Sequence, residues 1–356
     1  MISLFNDCKL YNTNFYLTDQ LTLIQITDSH TIITDSRLER MIIGNLVLIL
    51  IHTNGNMLEQ KKLLSVNQFI TERGQDTLHP LVSVIDQALS GPVKVAHYTS
   101  AIYIIFLKDL KCEELSYGRN KYDFQDDSLL FIAPGKSFGY EAKDKIVQPN
   151  GWALAFDPEL IKGTSLGKKI KEYSFFAYDA NEALHLSKAE KQVVLECFSK
   201  ILHELNHAID KYSKDLIVNN IELFLNYCSR FYDRQFITRE NLNKAQLAKF
   251  EYLIDDYFET KKSKELGLPL VSYFAEKLHL SANYFGDLVK KHSGKSAQEF
   301  IQDKTIELAK EKLLDLNKSI SDVSYEMGFK YPQHFTRLFK QRVGIPPNEY
   351  RALNHQ

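Results

Sequence analysis

The sequence predicts a multidomain α+β protein. A small antiparallel β-barrel or sandwich comes first, then helices, then an all-α domain with two helix-turn-helix units joined by a long linker helix. Three observations carry this. Between residues 81 and 156, short apolar and β-branched runs alternate with glycine and proline turn signals. From Ser187 onward the apolar period lengthens to that of a helix. In the last quarter the chain repeats itself at a spacing of fifty: Tyr284-Phe285, Leu288, Lys290 and Gly294 return as His334-Phe335, Leu338, Lys340 and Gly344.

A length of 356 residues leaves room for two or three domains of about 100–200 residues. The net charge is -1, so the whole molecule is no polycation, and any affinity for nucleic acid has to come from a local basic surface. Cys8, Cys112, Cys197 and Cys228 lie far apart with no CxxC pair. That argues against a zinc ribbon or a disulfide framework and for a reduced, cytoplasmic setting. The apolar run at 41–51, interrupted by Asn45, is far shorter than the roughly 20 residues of a spanning helix. Residues 1–9 carry an acid rather than a positive n-region, so neither a secretory signal nor a membrane partner is expected.

Four segments follow. Residues 1–56 form a poorly assigned extension, rich in Ile, Leu and Thr. Its alternation at Leu21-Thr22-Leu23-Ile24-Gln25-Ile26 suits short strands; alternatively, natural translation starts at Met57. Residues 57–186 hold the barrel, with runs at 93–98, 101–107, 129–133 and 151–156 and turns at Tyr117-Gly118-Arg119-Asn120 and Pro134-Gly135. Residues 187–257 are helical. Ser187 and Glu190 make a capping box, Val194, Cys197, Ile201 and Leu205 follow at 3-4-4 spacing, and Ile217, Ile221, Phe224, Cys228 and Phe231 make a second stripe. These apolar faces require cover, either from the barrel or from a helix–helix dimer seam. Residues 258–356 hold the tandem units, entered through a polar linker at 258–269.

In the first unit a helix over 271–278 turns Phe274, Ala275 and Leu278 inward, and Ser281 caps a second helix anchored by Phe285 and Leu288. Asn283, Tyr284, Asp287, Lys290 and Lys291 are then left facing outward. In the second unit Ser319 and Asp322 form a cap, Ser324 takes the crossing position, and Gly328 supplies a turn residue tolerant of positive φ. Phe329, Phe335, Leu338 and Phe339 make its core. One long helix is expected over 299–316, with Ile306, Ala309, Leu313 and Leu316 on one side. About 18 residues span about 27 Å, which can hold two recognition helices about one DNA turn, ~34 Å, apart.

Helix-turn-helix geometry presents the N-terminal part of each second helix to base edges. The expected base readers are Gln333, Thr336 and Arg337 in the second unit and Asn283, Tyr284 and Asp287 in the first. Asp287 is a poor neighbour for phosphates, so it either accepts from a cytosine amino group or holds a nearby side chain. Lys290, Lys291, Lys330, Lys340 and Arg342 are the expected phosphate contacts. Residues 330–342 carry four cations and no carboxylate, a local patch that offsets the global charge.

These motifs resemble the AraC/XylS family of bacterial transcription regulators, and the stretch at 151–160 with the run at 230–236 resembles a subgroup common in Bacteroidetes-type bacteria. The resemblance rests on Ile320-Ser321-Asp322-Val323, Gly328-Phe329, His334-Phe335, Leu338-Phe339-Lys340, Gly344, Pro346-Pro347 and Glu349-Tyr350-Arg351. It covers about a hundred C-terminal residues, and Gly151-Trp152, Phe156-Asp157-Pro158-Glu159-Leu160 and the run at 230–236 extend it less specifically. It implies a cupin-like regulatory barrel that binds or senses a small-molecule effector, a helical homodimer region, double-stranded DNA as a partner, and an activator working with RNA polymerase. His279 stands where the family's first turn usually has glycine, and Thr305 replaces an arginine frequent in its linker helix.

Competing chemistry is weak. Metal-dependent cupins use clustered histidines, and His97 stands alone between residues 81 and 156. His203 and His207 share a helix face without a third ligand. Cys112 sits among acids, which oppose thiolate formation, with no glycine elbow. No enzyme, cofactor or metal is expected. Tyr98, Tyr103 and Trp152 are candidates for an effector pocket, although a barrel tryptophan serves equally well as core.

Overall fold

The computed structural model describes residues 60–94, 96–108, 115–117, 120–122, 127–140 and 146–354. The N-terminal extension and Cys112 lie outside them. The strands are β1 Gln60–Leu63, β2 Val82–Asp86, β3 Val93–Lys94, β4 His97–Ser100, β5 Tyr103–Lys108, β6 Leu115–Tyr117, β7 Asn120–Tyr122, β8 Ser128–Ile132, β9 Ser137–Tyr140, β10 Ile146–Val147, β11 Trp152–Phe156 and β12 Leu184–His185. They form a sheet in the order β1-β4-β9-β6-β7, a second in the order β12-β8-β5-β11-β2, and a ribbon of β10 with β3. The expected all-antiparallel pattern fails at one ladder: β1 pairs with β4 in parallel. The long connection between them carries helix α1 (Val66–Thr71) and β2, enough chain for a crossover.

The second sheet is buried on both faces. Ile104 and Phe106 of β5 join Leu63, Phe69, Leu130, Ile132, Phe138, Ala153 and Ala155 in one core. Ile105 and Leu107 join Val82, Val84, Leu129, Phe131, Leu154 and Phe156 in the other. That is why β5 and β8 read as unbroken apolar runs rather than alternating ones. After β11 come α2 (Pro158–Ile161), α3 (Ser165–Lys169) and short 3-10 turns at Ser174–Ala177 and Ala180–Glu182.

Helix α4 (Lys188–Leu205) opens on the capping box of Ser187 and Glu190, and α5 (Ser213–Thr238) follows. Their stripes, Val194, Cys197, Ile201 and Leu205 with Ile217, Ile221, Phe224, Cys228 and Phe231, lie in the same apolar cluster as Val84 and Leu154. The two helices pack on each other, and α4 also lies against β2 and α5 against β12. Cys197 and Cys228 are buried free thiols.

Helix α6 (Glu240–Glu259) packs across the expected boundary of the C-terminal domain. The expected boundary at 258 separates Phe250 from its partners, yet its ring lies 5.2 Å from Phe274, 4.8 Å from Phe285 and 5.3 Å from Phe300. Leu247, Phe250, Ile254 and Tyr257 make a 3-4-3 stripe that was readable in the sequence. The expected linker instead holds α7 (Lys262–Leu266).

The first unit is α8 (Val271–Lys277) and α9 (Ala282–Ser293), the connector is α10 (Ala297–Leu313), and the second unit is α11 (Ile320–Glu326) and α12 (Pro332–Val343), with α13 (Pro347–Leu353) closing the chain. His279 adopts left-handed backbone, φ 57, so the first turn keeps its shape without glycine. The connector has 17 residues, about 26 Å. It stops short of the expected 316 because the Asp315 carboxylate accepts from Asn317 N at 3.0 Å and starts a turn, while Arg351 Nε donates to Leu313 O at 2.7 Å. Thr305 is buried and bonds back to Ile301 O at 2.7 Å, leaving no salt bridge there.

Gly328 is required twice over. Its φ is +86, and a Cβ there would lie 2.6 Å from Gly267 O, an atom already bonded to Tyr257 Oη at 3.1 Å. Gly328→Ala should destabilise the chain by about 2–4 kcal/mol. Gly294→Ala has a similar φ but open space and should cost about 1 kcal/mol; denaturant titration of the two reads the difference. A fragment of residues 240–356 should unfold in one cooperative transition. Residues 258–356 should show none, because the aromatic partners of Phe250 are left exposed to water.

Candidate nucleic-acid interface

In the second unit Pro332 occupies the first turn of α12, where a missing N–H costs nothing. Phe335 and Phe339, one turn apart, are fully buried with rings 5.6 Å from each other; Phe335 packs on Phe329 and Phe339 on Tyr350. Anchoring that face leaves Gln333, His334, Arg337 and Lys340 exposed. Thr336 is half-buried, its hydroxyl donating to Pro332 O at 3.1 Å. Lys330 is exposed on the preceding turn, its ammonium 5.7 Å from the Tyr331 ring. Gln333, His334, Arg337 and Lys340 form one open face of a helix that carries no carboxylate of its own, while Lys330 lines a cleft shared with Glu265, Asp322 and Glu326.

Arg342 does not belong to that face. Its Nη2 donates to Gln302 Oε1 at 2.7 Å and its Nη1 meets Asp303 Oδ1 at 3.2 Å. It ties α12 to the connector, so the expected phosphate contact is taken up internally.

The second unit is braced from behind. Glu326 meets Lys318 at 2.9 Å, Lys264 at 3.4 Å and Lys312 at 3.7 Å. Burial opposes its charge, but Lys318's hydrogen bond and the three ammoniums hold its carboxyl below the ordinary range.

The first unit has a different environment. Tyr284, expected outward, is 5% exposed, its ring 5.2 Å from Tyr178 and 5.0 Å from Phe236. The reason is that the 3-10 segment before β12 and the end of α5 cover this side of α9. Asp287 Oδ2 accepts from Tyr178 Oη at 2.6 Å. Burial, then the charge of Asp287, pushes the Tyr178 hydroxyl far above its usual range, so it stays a donor. Lys291 meets Asp233 Oδ1 at 2.7 Å. Lys290 and Asn283 are exposed.

At the cap of α9, Ser281 N donates to Glu182 Oε1 at 2.6 Å, and Ser281 Oγ donates to Glu182 Oε2. Burial raises the Glu182 carboxyl to about 7 although the bonds from Ser281 and the Asp179 amide favour its charge. Asn181 Nδ2 donates to His279 O at 3.3 Å. Sequence reasoning missed Tyr178, Asn181, Glu182 and Asp233. The first three lie in a run of 3-10 turns without a helix or strand period, so no local pattern marked them.

The cleft that Tyr103 lines does not take in Tyr98 or Trp152. Tyr103 lines a cleft of about 470 Å³ with Lys136, Lys171, Tyr173, Phe176 and Asn283. Trp152 is paired with Leu107, at the other end of β5 from Tyr103, about 13 Å away along the strand. Tyr98 stacks on Phe138 at 5.4 Å beside the inter-sheet core. Among the described residues no group of three His, Cys, Asp or Glu side chains could hold a metal ion, and none of their helices is long and apolar enough to cross a membrane.

Residues 274–353 match a family model described as a helix-turn-helix domain. The chain is 34% identical over 113 residues to the uncharacterized HTH-type transcriptional regulator YobQ of Bacillus subtilis, covering 32% of this chain and 44% of that protein. It is 30% identical over 101 residues to the multiple antibiotic resistance protein MarA of Escherichia coli, covering 28% of this chain and 77% of MarA. The solved C-terminal domain of the response regulator yesN from Fusobacterium nucleatum is 28% identical, covers 28% of this chain and 96% of that one, and superposes with a TM-score of 0.25. The matched region thus spans less than half of YobQ but most of MarA. Two helix-turn-helix units on one connector, joined to a sheet-rich half, place this chain in the AraC/XylS-type family of helix-turn-helix transcription regulators.

Proposed function

We propose that the chain regulates transcription by binding double-stranded DNA in a sequence-specific way, with α12 as the principal reading helix. The observation that carries this is the exposed face of Gln333, Arg337 and Lys340 on a helix without a carboxylate, with the exposed Lys330 beside it, set by the buried Phe335 and Phe339. Arg337 and Gln333 suit base edges, guanine and adenine respectively, while Lys330 and Lys340 suit phosphates. In this reading the first unit enters the neighbouring groove through Asn283, Asp287 and Lys290, and the connector sets the spacing.

The finer assignments belong to the same proposal. The sheet-rich half senses a small effector, and the cleft lined by Tyr103, Lys136, Lys171 and Asn283 is where a bound molecule would touch both halves. The chain works as a homodimeric activator in contact with RNA polymerase. The exposed Tyr212, Leu216 and Leu223 on and beside α5 supply an apolar stripe that suits a second copy. No catalytic step is assigned to any residue.

Fragments of host genomic DNA selected on the full chain provide the duplex for testing. Arg337→Ala should weaken binding to the selected site by about 1–3 kcal/mol and relax one base position. Lys340→Ala should weaken all sequences alike and lower the salt slope by about one. Identical behaviour of the two variants on selected and random duplexes would refute the division of roles.

A further inference from the structure

The two units are internal controls for each other, because each position of α9 has a counterpart fifty residues on in α12. Arg337, exposed, corresponds to Asp287, which accepts from Tyr178. His334, exposed, corresponds to Tyr284, buried against Tyr178 and Phe236. The same scaffold therefore presents a bare basic face in one copy and a covered, acid-bearing face in the other.

The chemistry of the cover follows that of a duplex. The cap of a recognition helix offers backbone and hydroxyl donors that a phosphate oxygen can take; here Glu182 takes both donors of Ser281. A lysine in the last turn is a second phosphate donor, and here Asp233 takes Lys291 at 2.7 Å. Asp287, placed where a base reader belongs, is taken by the Tyr178 hydroxyl. A major groove about 12 Å wide admits one helix, not a helix with the segment 174–182 laid along it.

We propose that the regulatory half acts as a phosphate mimic, with Glu182 and Asp233 occupying the donors of α9 that DNA would use, so that the seam and the duplex exclude each other at the first unit. The structure is then a closed state in which only α12 can read DNA. Opening the seam adds the second reading head. Closure is a two-state element biased by whichever ligand binds one state better. Asp287 supports this reading. An acid at that position repels a phosphate backbone but makes a charge-assisted hydrogen bond with Tyr178. This inference rests on the DNA-binding reading above and adds its regulation.

The test uses the full chain and the selected duplex. Tyr178→Phe, Glu182→Gln and Asp233→Asn, combined, remove the mimic from the regulatory side and leave α9 and α12 unaltered. The expected result is about tenfold tighter binding, a salt slope steeper by about one to two, and a footprint growing from one major groove to two successive grooves. In the unaltered chain, saturating duplex should raise hydrogen exchange across residues 174–182; that measurement stands even where the triple variant folds poorly. Unchanged affinity, slope and footprint in a folded triple variant would overturn the proposal. So would undiminished protection of 174–182 under saturating duplex. If Arg337→Ala also leaves binding unchanged, the DNA-binding reading fails with it; if Arg337→Ala weakens binding, only the mimic is lost.

Discussion

A file of aromatic rings joins the sheet to the first recognition helix, and the arrangement of the two halves depends on it. Phe131 of β8 lies 4.5 Å from Phe175, which stacks on Tyr232 at 5.4 Å. Tyr232 meets Tyr178 edge-on at 5.2 Å, and Tyr178 meets Tyr284 of α9 at 5.2 Å. Pairs of this kind contribute about 0.5–1.5 kcal/mol each beyond the area they bury. The hydroxyl of Tyr178 donates to Asp287, that of Tyr232 to Glu182 O, and that of Tyr284 is hydrogen-bonded with Arg239. A seam that is apolar in its interior and bonded at its edge has a defined register and can separate as a unit.

The second unit is held by different forces and needs no regulatory contact. Its turn fits because glycine meets glycine, Gly328 against Gly267, and Ser263 Oγ donates to Glu326 O at 2.6 Å on the same side. Around Glu326, three lysines come from α7, the connector and the loop after it. Each pair is partly exposed and worth little alone, but the three converge on one carboxylate and pin three elements together. Internal bracing leaves the outer face of α12 with no structural duty, whereas α9 uses much of its outer face to hold the regulatory half.

Much of this was legible in the sequence, for local reasons. Ser187, Ser281 and Ser319 cap the helices expected of them because a short side-chain oxygen bonds an amide three residues on. Phe285, Phe335 and Phe339 are buried because helical period sets which side they occupy. The parallel pairing of β1 with β4 was not legible, since strand partners far apart in sequence leave no local mark. Helix α6 falls almost wholly within the stretch expected to be helical, and its stripe was legible; that the stripe packs on the first unit, across the expected boundary at 258, was not.

The sequence by itself determined the two units, their caps, their turns and the charge along α12, because propensity, periodicity and glycine geometry act within a few residues. Only the tertiary structure decided which outward positions stay outward. Tyr284, Asp287 and Lys291 have the pattern of a recognition face and are engaged by Tyr178, Phe236 and Asp233. Arg342 has the pattern of a phosphate contact and is bonded to Gln302 and Asp303. Helical period says which side of a helix is polar; what meets that polar side depends on packing between segments distant in sequence, 40 residues apart for Arg342 and Gln302 and 109 for Tyr178 and Asp287, which no local pattern encodes.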